Sequence, residues 1–392
     1  MRKILIIFLC ALTVLVPCSS FFTLGAQAKV QAGLQISDDA LQLDVGAAYL
    51  MEAKTGTVLY SKNELTASSP ASVTKIMTLL LVVEALDEGR FTLQDKVYIS
   101  EYAASMGGSQ VFLEEGECMT VEELIKCTVI ASANDAAVAL AELTSGSEGA
   151  FVKRMNERAS ELGLKNTSFE NTTGLDDTTV NHYSCAEDIA IMSKELIEHP
   201  IILKYSSMWQ DTIRGGEFTL TNTNRLVRYY DGCNGLKTGS TDKAGFCVST
   251  TAKRGNMQLI AVIMGAKTRD DRNAAARELL DYGFANFALC EYPEKYLEDI
   301  PVLGGKVEKV AVYSSNFDIV VNKENRTKIE AEYEIPESIT APIEEGECIG
   351  KIAYKLNGEK LGECEIVCMS RVDKINFLEL FWRMLLRFLC GK

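Results

Sequence analysis

The sequence predicts a mixed α/β (α+β) domain followed by a small all-β domain. The first domain has strand-like segments near both of its ends, at 45–52 and 57–61 and again at 246–252 and 257–264. Helical patterns occupy most of the chain between these two pairs. From residue 291 the chain changes to short alternating segments separated by turns, which is the pattern of a small β domain. We assign this second domain to residues 291–370.

Apolar residues recur at helical spacing through the first domain. In the first of these segments Ile76 and Leu79 fall on the same side, and Thr120 with Glu123 forms a capping-box start for a later one. The predicted helices cover 71–87, 120–131, 136–143, 149–162, 186–198 and 274–282. The strands predicted for the second domain lie at 307–312, 319–321, 328–333, 349–354 and 364–369.

Residues 1–28 have the layout of a cleavable secretory signal. Arg2 and Lys3 precede an apolar run, and Ala26-Gln27-Ala28 has the small residues of a cleavage site. An uncleaved membrane anchor is the alternative. The sequence therefore predicts an exported protein whose first mature domain covers residues 29–290.

The composition narrows the classes of partner. The chain has 392 residues and a formal net charge of −14, and loss of the signal would leave about −16. Such an acidic exported protein should not bind nucleic acid. With two histidines and no Cys-x-x-Cys pair, the sequence predicts no metal site and no cofactor. Ten cysteines follow residue 28, so either some form disulfides, with Cys233 and Cys247 as a candidate pair, or the compartment is reducing.

The stretch from Ser69 to Thr78 contains a candidate nucleophile. Ser72 and Lys75 are three residues apart at the start of a predicted helix, so their side chains project from one face and the amine can reach the hydroxyl. A serine beside a potential base is the arrangement required for nucleophilic catalysis. Because Ser-x-x-Lys arises roughly once or twice by chance in a chain of this length, its value depends on what accompanies it.

Two further elements accompany it. Ser132-Ala133-Asn134 and Lys237-Thr238-Gly239 follow in the order that penicillin-interacting serine enzymes use. The first falls at a predicted interhelical turn and the second on a predicted strand. Another Lys-Thr-Gly, Lys54 to Gly56, precedes the nucleophile at the tip of a predicted hairpin, and we interpret it as a turn.

These residues resemble the D-alanyl-D-alanine carboxypeptidases, which are low-molecular-weight penicillin-binding proteins and serine peptidases that trim peptidoglycan stems. The resemblance rests on Pro70 to Thr78, Ser132 to Ala137, Phe151 to Asn156 and Gly235 to Gly245, and it extends over nearly the whole chain. It implies a catalytic domain with an antiparallel sheet flanked by helices. It also implies a peptidoglycan stem peptide as substrate and β-lactam antibiotics as acylating inhibitors.

The resemblance further implies a role for each site residue. Ser72 would attack the carbonyl between two D-alanines, Lys75 would take its proton, and Ser132 would relay that proton to the departing nitrogen. For this Lys75 needs a lowered pKa, which burial and the nearby Lys237 would provide. The substrate would be bound by the following residues: Asn134 at its amide, Lys237 and Thr238 at its terminal carboxylate, Gly239 and Ser240 along the strand, and Arg272 as a second carboxylate contact. The backbone amides of Ser72 and Ser240 would form the oxyanion hole.

The tail at 371–392 predicts an amphipathic helix with a net charge of about +3. Phe377, Phe381 and Leu385 share one face, whereas Arg383 and Arg387 lie on the other. The tail is too short to span a bilayer but suits the membrane surface, where anionic lipid would favour its basic face. The alternative is a helix docked on its own protein. With the signal, the tail predicts a peripheral protein on the outer face of the cytoplasmic membrane.

Two other functions stay open at this point. A class A β-lactamase has three elements in nearly the same order, but it needs a glutamate in Glu-x-x-Leu-Asn, and Glu170 is followed instead by Asn171-Thr172-Thr173. A catalytically silent cell-wall-binding protein would keep the pocket without turnover. The presence of all four residues Ser72, Lys75, Ser132 and Lys237 argues against it.

Overall fold

The computed structural model describes residues 41–390, so the predicted signal at 1–28 lies outside the described residues. Up to residue 286 the described chain contains nine strands. In chain order they are β1 (Ala47–Glu52), β2 (Val58–Lys62), β3 (Lys96–Tyr98), β4 (Cys118–Thr120), β5 (Gln210–Ile213), β6 (Phe218–Thr221), β7 (Cys233–Thr241), β8 (Gly245–Arg254) and β9 (Met257–Ala266).

Nine helices accompany these strands in the same described part. They are α1 (Lys75–Asp87), α2 (Glu101–Ala104), α3 (Val121–Lys126), α4 (Asn134–Ser145), α5 (Glu148–Glu161), α6 (Ala186–Ile197), α7 (Pro200–Ser206), α8 (Leu226–Tyr229) and α9 (Arg269–Asn286). A 3₁₀ turn at Ala71–Thr74 leads into α1, and a π-helical turn at Cys127–Ala131 follows α3.

The central sheet has five strands in the order β2-β1-β9-β8-β7, and every neighbouring pair is antiparallel. Both of its faces are covered by helices. Along β9, Leu259, Ala261 and Ile263 pack with α9, whereas Ile260 and Val262 pack in the cluster that contains α1. Because successive strand residues point to opposite faces, one strand contributes to both cores. The predicted antiparallel sheet flanked by helices is confirmed.

Helix α1 is the buried centre of the larger core. Its residues from Lys75 to Val83 are all buried, and a helix that is apolar on all sides is stable only inside a core. Ile76, Met77 and Val82 are fully enclosed. Since close-packed side chains leave little room for displacement, the start of α1 holds its functional groups in fixed positions.

The second part of the described chain is built from strands, as predicted. It contains β10 (Phe287–Tyr292), β11 (Lys295–Leu303), β12 (Lys309–Ser314), β13 (Phe317–Asn322), β14 (Ile329–Glu334), β15 (Ile339–Thr340), β16 (Cys348–Leu356) and β17 (Glu359–Cys368). Six of them form a sheet in the order β14-β16-β17-β12-β11-β15, and β10 pairs with β13. Val312, Ile352 and Ile366 lie in the core on this sheet.

The Lys-Thr-Gly at residues 54–56 is a turn, as interpreted from the sequence. The buried Glu52 carboxylate accepts from the backbone N–H of Lys54 and Thr55, and Gly56 has φ +70°. Lys54 Nζ lies 2.5 Å from the Glu291 carboxylate and 2.9 Å from that of Asp318. This second Lys-Thr-Gly therefore ties the first hairpin to the strand-rich part of the chain.

The candidate Cys233–Cys247 disulfide is wrong. In the β7–β8 ladder Cys233 lies opposite Ala252, and Cys247 lies opposite Gly239. At about 3.3 Å per strand residue, six residues separate them by roughly 20 Å, whereas bridged Cα atoms lie within about 7 Å. All ten cysteines of the described part are unpaired.

The tail forms the helix α10 (Phe377–Cys390). Its polar face contacts the strand-rich part: Arg383 donates to the carbonyl oxygens of Gly305 and Lys306, and Arg387 pairs with Glu308. The opposite, apolar face is open, and Phe388 is 85% exposed. Among residues 41–390 no helix is both long and apolar enough to cross a bilayer.

Candidate active site

Ser72 lies on the 3₁₀ turn directly before α1, and Lys75 is the first residue of that helix. The Lys75 Nζ is 3.0 Å from the Ser72 Oγ, so the side chains make the contact that their spacing predicts. Ala71, next to the serine, has φ +47°, a left-handed conformation that is unfavourable for a residue with a side chain. The fold therefore holds backbone strain beside this serine.

Lys75 is fully buried and has two further neighbours. Its Nζ lies 2.6 Å from Asn134 Oδ1 and 2.9 Å from the Thr173 carbonyl oxygen. Burial, and next the charge of Lys237, lower the pKa of Lys75 well below its usual value. An uncharged amine has two N–H donors and one lone pair. Each N–H can donate to one of the two oxygens, of Asn134 and Thr173, and the lone pair can then accept a hydrogen bond from the Ser72 hydroxyl. The surroundings thus suit an uncharged lysine.

Ser132 follows the π-helical turn and has φ +64°, in the left-handed region. The helix predicted to run to residue 131 is confirmed, but its form changes along the way, because α3 ends at Lys126 and a wider π-helical turn continues to Ala131. Such bulges are frequent at functional sites. The turn places the Ser132 Oγ 2.7 Å from the Lys237 Nζ.

Asn134, which the resemblance assigns to the substrate amide, also has partners within the protein, and its contact with the substrate stays a prediction. Its Oδ1 accepts from Lys75, and its Nδ2 donates to the Gly107 carbonyl oxygen at 2.7 Å. The side chain is buried, so both ends of the amide are engaged within the protein. Asn134 therefore orients Lys75 and anchors the 107–109 loop.

The third element lies on β7 against the turn that carries Ser72. Lys237 is buried, and its Nζ donates to Ser132 Oγ and to the Thr238 carbonyl oxygen at 2.9 Å. Burial, and next the charge of Arg272, lower the pKa of Lys237 to about 7. A Cβ on Gly239 would lie 2.8 Å from the Ser72 backbone nitrogen, so only glycine allows this close approach.

A cavity of about 570 Å³ joins the three elements. Predicted site residues among those that line it are Ser72, Ser132, Thr238, Gly239, Ser240 and Arg272. Arg272 is 3% exposed and donates to the carbonyl oxygen of Cys247 at 3.4 Å. The structure thus brings together every site residue that the sequence proposed. Lys75, Asn134 and Lys237 do not line the cavity themselves, but they are hydrogen-bonded to one another or to the residues that do.

Sequence reasoning missed the 171–176 loop and His182. The loop supplies the Thr173 carbonyl oxygen to Lys75. The buried His182 accepts from the Glu170 backbone N–H at Nδ1, which leaves Nε2 to donate to Thr74 Oγ1 at 2.8 Å. Burial lowers the pKa of His182 to about 4. Its position after the turn-rich 171–175 segment was the available signal, but a contact with residue 74 requires the tertiary fold.

The site contains a serine hydroxyl in contact with a buried amine, and polar donors from two other elements face the same cavity. This arrangement is that of a serine hydrolase, with the buried amine as a candidate base. Among the described residues, no group of three or more His, Cys, Asp or Glu side chains is placed to hold a metal ion.

Comparison with known proteins identifies the family. The family described as D-alanyl-D-alanine carboxypeptidase matches residues 34–268, and the family described as penicillin-binding protein 5, C-terminal domain, matches residues 291–374. The D-alanyl-D-alanine carboxypeptidase DacF of Bacillus subtilis (strain 168) is 43% identical over 364 residues, which cover 91% of this chain and 92% of the relative.

Solved structures agree with this result. Penicillin-binding protein 5 from Haemophilus influenzae has a TM-score of 0.76 and 32% identity, covering 85% of this chain and 99% of that one. Penicillin-binding protein D2 from Listeria monocytogenes in the ampicillin-bound form has a TM-score of 0.57 and 32% identity, covering 62% and 98%. The chain belongs to the D-alanyl-D-alanine carboxypeptidase family, whose members are serine hydrolases and penicillin-binding proteins. The predicted enzyme class is confirmed.

The β-lactamase alternative gains no support from Glu170. Its side chain is exposed, and its Oε2 accepts from the Val180 backbone N–H at 2.8 Å. Glu170 is not among the residues that line the described cavity. The carboxylate therefore stabilises the 170–180 loop and does not border the cavity that contains Ser72.

Proposed function

We propose that this enzyme removes the terminal D-alanine from peptidoglycan pentapeptide stems, with Ser72 as nucleophile and Lys75 as general base. The observation that carries the proposal is the 3.0 Å contact between Ser72 Oγ and the buried Lys75 Nζ. A lysine with its usual pKa would be protonated and unable to accept the serine proton. Burial and Lys237 remove that obstacle.

The substrate's terminal carboxylate is taken up beside the second cation. Arg272 and Thr238 line the cavity that contains Ser72, and the buried Lys237 adds positive charge next to Ser132. The scissile carbonyl then faces the backbone amides of Ser72 and Ser240. As Ser72 attacks, these amides stabilise the developing oxyanion, each donor contributing roughly 10²- to 10³-fold in rate.

Ser132 gives a proton to the departing D-alanine nitrogen. Lys237 donates to the Ser132 Oγ at 2.7 Å, and this hydrogen bond polarises the hydroxyl and makes it the better acid. As the carbon–nitrogen bond breaks, the proton that Lys75 took from Ser72 passes to the Ser132 oxygen, so that Ser132 is a hydroxyl again and Lys75 is uncharged. Water then hydrolyses the acyl-enzyme and regenerates Ser72. A β-lactam acylates Ser72 in the same way, but its acyl-enzyme is hydrolysed slowly. The β-lactam therefore acts as an inhibitor.

The chain organisation that we propose is a signal at 1–28, a catalytic domain at 29–290, a β domain at 291–370 and a membrane-associated tail at 371–392. Helix α10 would lie in the outer face of the cytoplasmic membrane. Its arginines already contact the chain's own backbone and Glu308, so the exposed apolar face supplies the lipid contact. This differs from the expectation that the basic face meets anionic lipid.

Intact-mass analysis with benzylpenicillin and a D-alanine release assay test the proposed catalysis. We expect one slowly clearing adduct on Ser72 and release of D-alanine from a pentapeptide. The variant Ser72→Ala should lose both, whereas Ser207→Ala, an exposed serine outside the cavity, should keep both. An adduct without D-alanine release would instead indicate a wall-binding protein, and rapid repeated penicillin turnover would indicate a β-lactamase.

A further inference from the structure

The cavity extends beyond the residues that the proposed reaction uses. Its additional lining includes Trp209, Thr221, Arg225, Tyr229 and Arg269. The 222–226 segment runs beside β7, because Thr223 Oγ1 is 2.8 Å from Thr238 Oγ1 and Asn224 Nδ2 donates to the Gly235 carbonyl oxygen. This contact lies on the side of Thr238 that leads away from Ser240.

The direction in which the peptide substrate runs along β7 determines which part of it would reach this additional part of the cavity. In the proposed function the scissile carbonyl lies between the amides of Ser72 and Ser240, and the terminal carboxylate lies at Lys237 and Thr238. The cavity beyond Thr238 therefore adjoins the leaving residue, and the rest of the stem lies toward Ser240. We refer to the part of the cavity lined by Trp209, Arg225 and Arg269 as the distal subsite. It adjoins the leaving residue because the charges of Arg225 and Arg269 both act on Arg272, the proposed second carboxylate contact.

The distal subsite is rich in unpaired positive charge. Within residues 41–390, no carboxylate forms an ion pair with Arg225, Arg269 or Arg272. The charges of Arg269 and Arg225 act on Arg272 and, after burial, lower its pKa to about 10. D-Alanine has a single carboxylate, which Lys237 and Arg272 can already neutralise. Arg225 and Arg269 are therefore available to a second anionic group.

A second observation points to a ligand in the same place. Trp209 lines the cavity, and its indole Nε1 is buried without a hydrogen-bond partner in the described part of the chain. A buried donor without an acceptor is unfavourable, by about 1–3 kcal/mol for the desolvated group. A ligand oxygen that reached Trp209 Nε1 from the cavity would satisfy this donor.

We propose that the distal subsite binds a second carboxylate on the leaving residue, so that the enzyme also releases D-amino acids with an acidic side chain. This inference rests on the proposed function, because that function sets the direction of the substrate. The guanidinium groups of Arg225 and Arg269 bind the side-chain carboxylate, and Trp209 donates to one of its oxygens. The reaction at Ser72 is otherwise unchanged: the acyl–nitrogen bond breaks, and the free D-amino acid leaves.

The test compares three N-acetylated tripeptides that end in D-Ala-D-Ala, D-Ala-D-Glu or D-Ala-D-Gln. D-Glu and D-Gln have nearly the same shape and differ in charge, so their ratio isolates the second carboxylate. We expect kcat/KM for D-Glu release to exceed that for D-Gln release by about tenfold, which is the typical advantage of a charge-assisted hydrogen bond. Arg225→Gln should bring the ratio close to one and leave D-alanine release unchanged.

Arg228→Gln is the matched control, because Arg228 stacks on Trp209 and Tyr229 but does not line the cavity. It should keep the D-Glu preference. Equal release of D-Glu and D-Gln by the unmodified enzyme, or a preference that survives Arg225→Gln, would overturn the inference. Failure to release D-alanine from the first tripeptide would instead contradict the proposed function, so the two failures are distinguishable.

Discussion

Replacing Gly239 by alanine tests the contact between β7 and the turn that carries Ser72. The added Cβ would lie 2.8 Å from the Ser72 backbone nitrogen and 2.9 Å from the Pro70 carbonyl oxygen and the Val73 nitrogen. All three are backbone atoms, so none can move by a change of rotamer. Relief to an ordinary contact of about 3.5 Å needs a shift of roughly 0.7 Å between the strand and the turn.

That shift separates the two amides that the proposed oxyanion hole requires. Misplacement by about 1 Å can reduce a rate by about 10²-fold, so we expect Gly239→Ala to slow acylation by a fluorescent penicillin by about 10- to 100-fold. Overpacking should also lower the unfolding free energy by about 1–3 kcal/mol. For a domain of this size, the corresponding fall in Tm is about 2–10 °C.

The matched control is Gly149→Ala. Gly149 lies in α5, and its added Cβ would meet no atom within 4 Å. Because alanine favours a helix over glycine, this variant should keep the acylation rate and gain about 0.5–1 kcal/mol. If Gly239→Ala acylated within about threefold of the parent with an unchanged Tm, close packing of β7 on the Ser72 turn would not be what places the amides.

Three further predictions concern the lysines and the tail. Asn134→Ala removes an acceptor of Lys75 and should lower kcat by about tenfold, whereas a change confined to KM would contradict its positioning role. The charged form of Lys237 becomes less populated as pH rises through about 7. KM for a D-Ala-D-Ala peptide should therefore rise above that pH by at most about tenfold per pH unit, and Lys237→Arg should make KM less dependent on pH. Flotation with anionic vesicles should be weakened by Phe381→Glu and nearly unaffected by salt; strong salt sensitivity would show that the arginines of α10 leave the protein to bind lipid.

The sequence was sufficient where chemistry depends on local spacing. Ser72 and Lys75 are one helical turn apart, so their contact follows from helix geometry alone. Alternation and turn residues likewise predicted the strands at both ends of the first domain and five of the second part, namely β12, β13, β14, β16 and β17, but they missed β10, β11 and β15. These patterns describe periodicity within one element, and periodicity is independent of what the element packs against.

Contacts between distant elements could not be predicted in the same way. The left-handed Ser132 follows a π-helical turn, and the capping-box pattern of α3 contains no indication of where its regular helix ends. The acceptors of Lys75, Asn134 Oδ1 and the Thr173 carbonyl oxygen, are 59 and 98 residues away in the chain. The Cys233–Cys247 pairing failed for a related reason, because composition does not give the register of a hairpin.

The two buried lysines explain why the terminal carboxylate would matter for chemistry as well as for binding. Lys237 lowers the pKa of Lys75 only while Lys237 is itself charged, yet burial brings the pKa of Lys237 to about 7. A carboxylate beside Lys237 favours its charged form and so retains the hydrogen bond to Ser132 Oγ. A peptide capped as its C-terminal amide lacks this charge and should therefore lose kcat as well as affinity, increasingly so above pH 7. An unchanged kcat with the amide would show that the carboxylate contributes to binding alone.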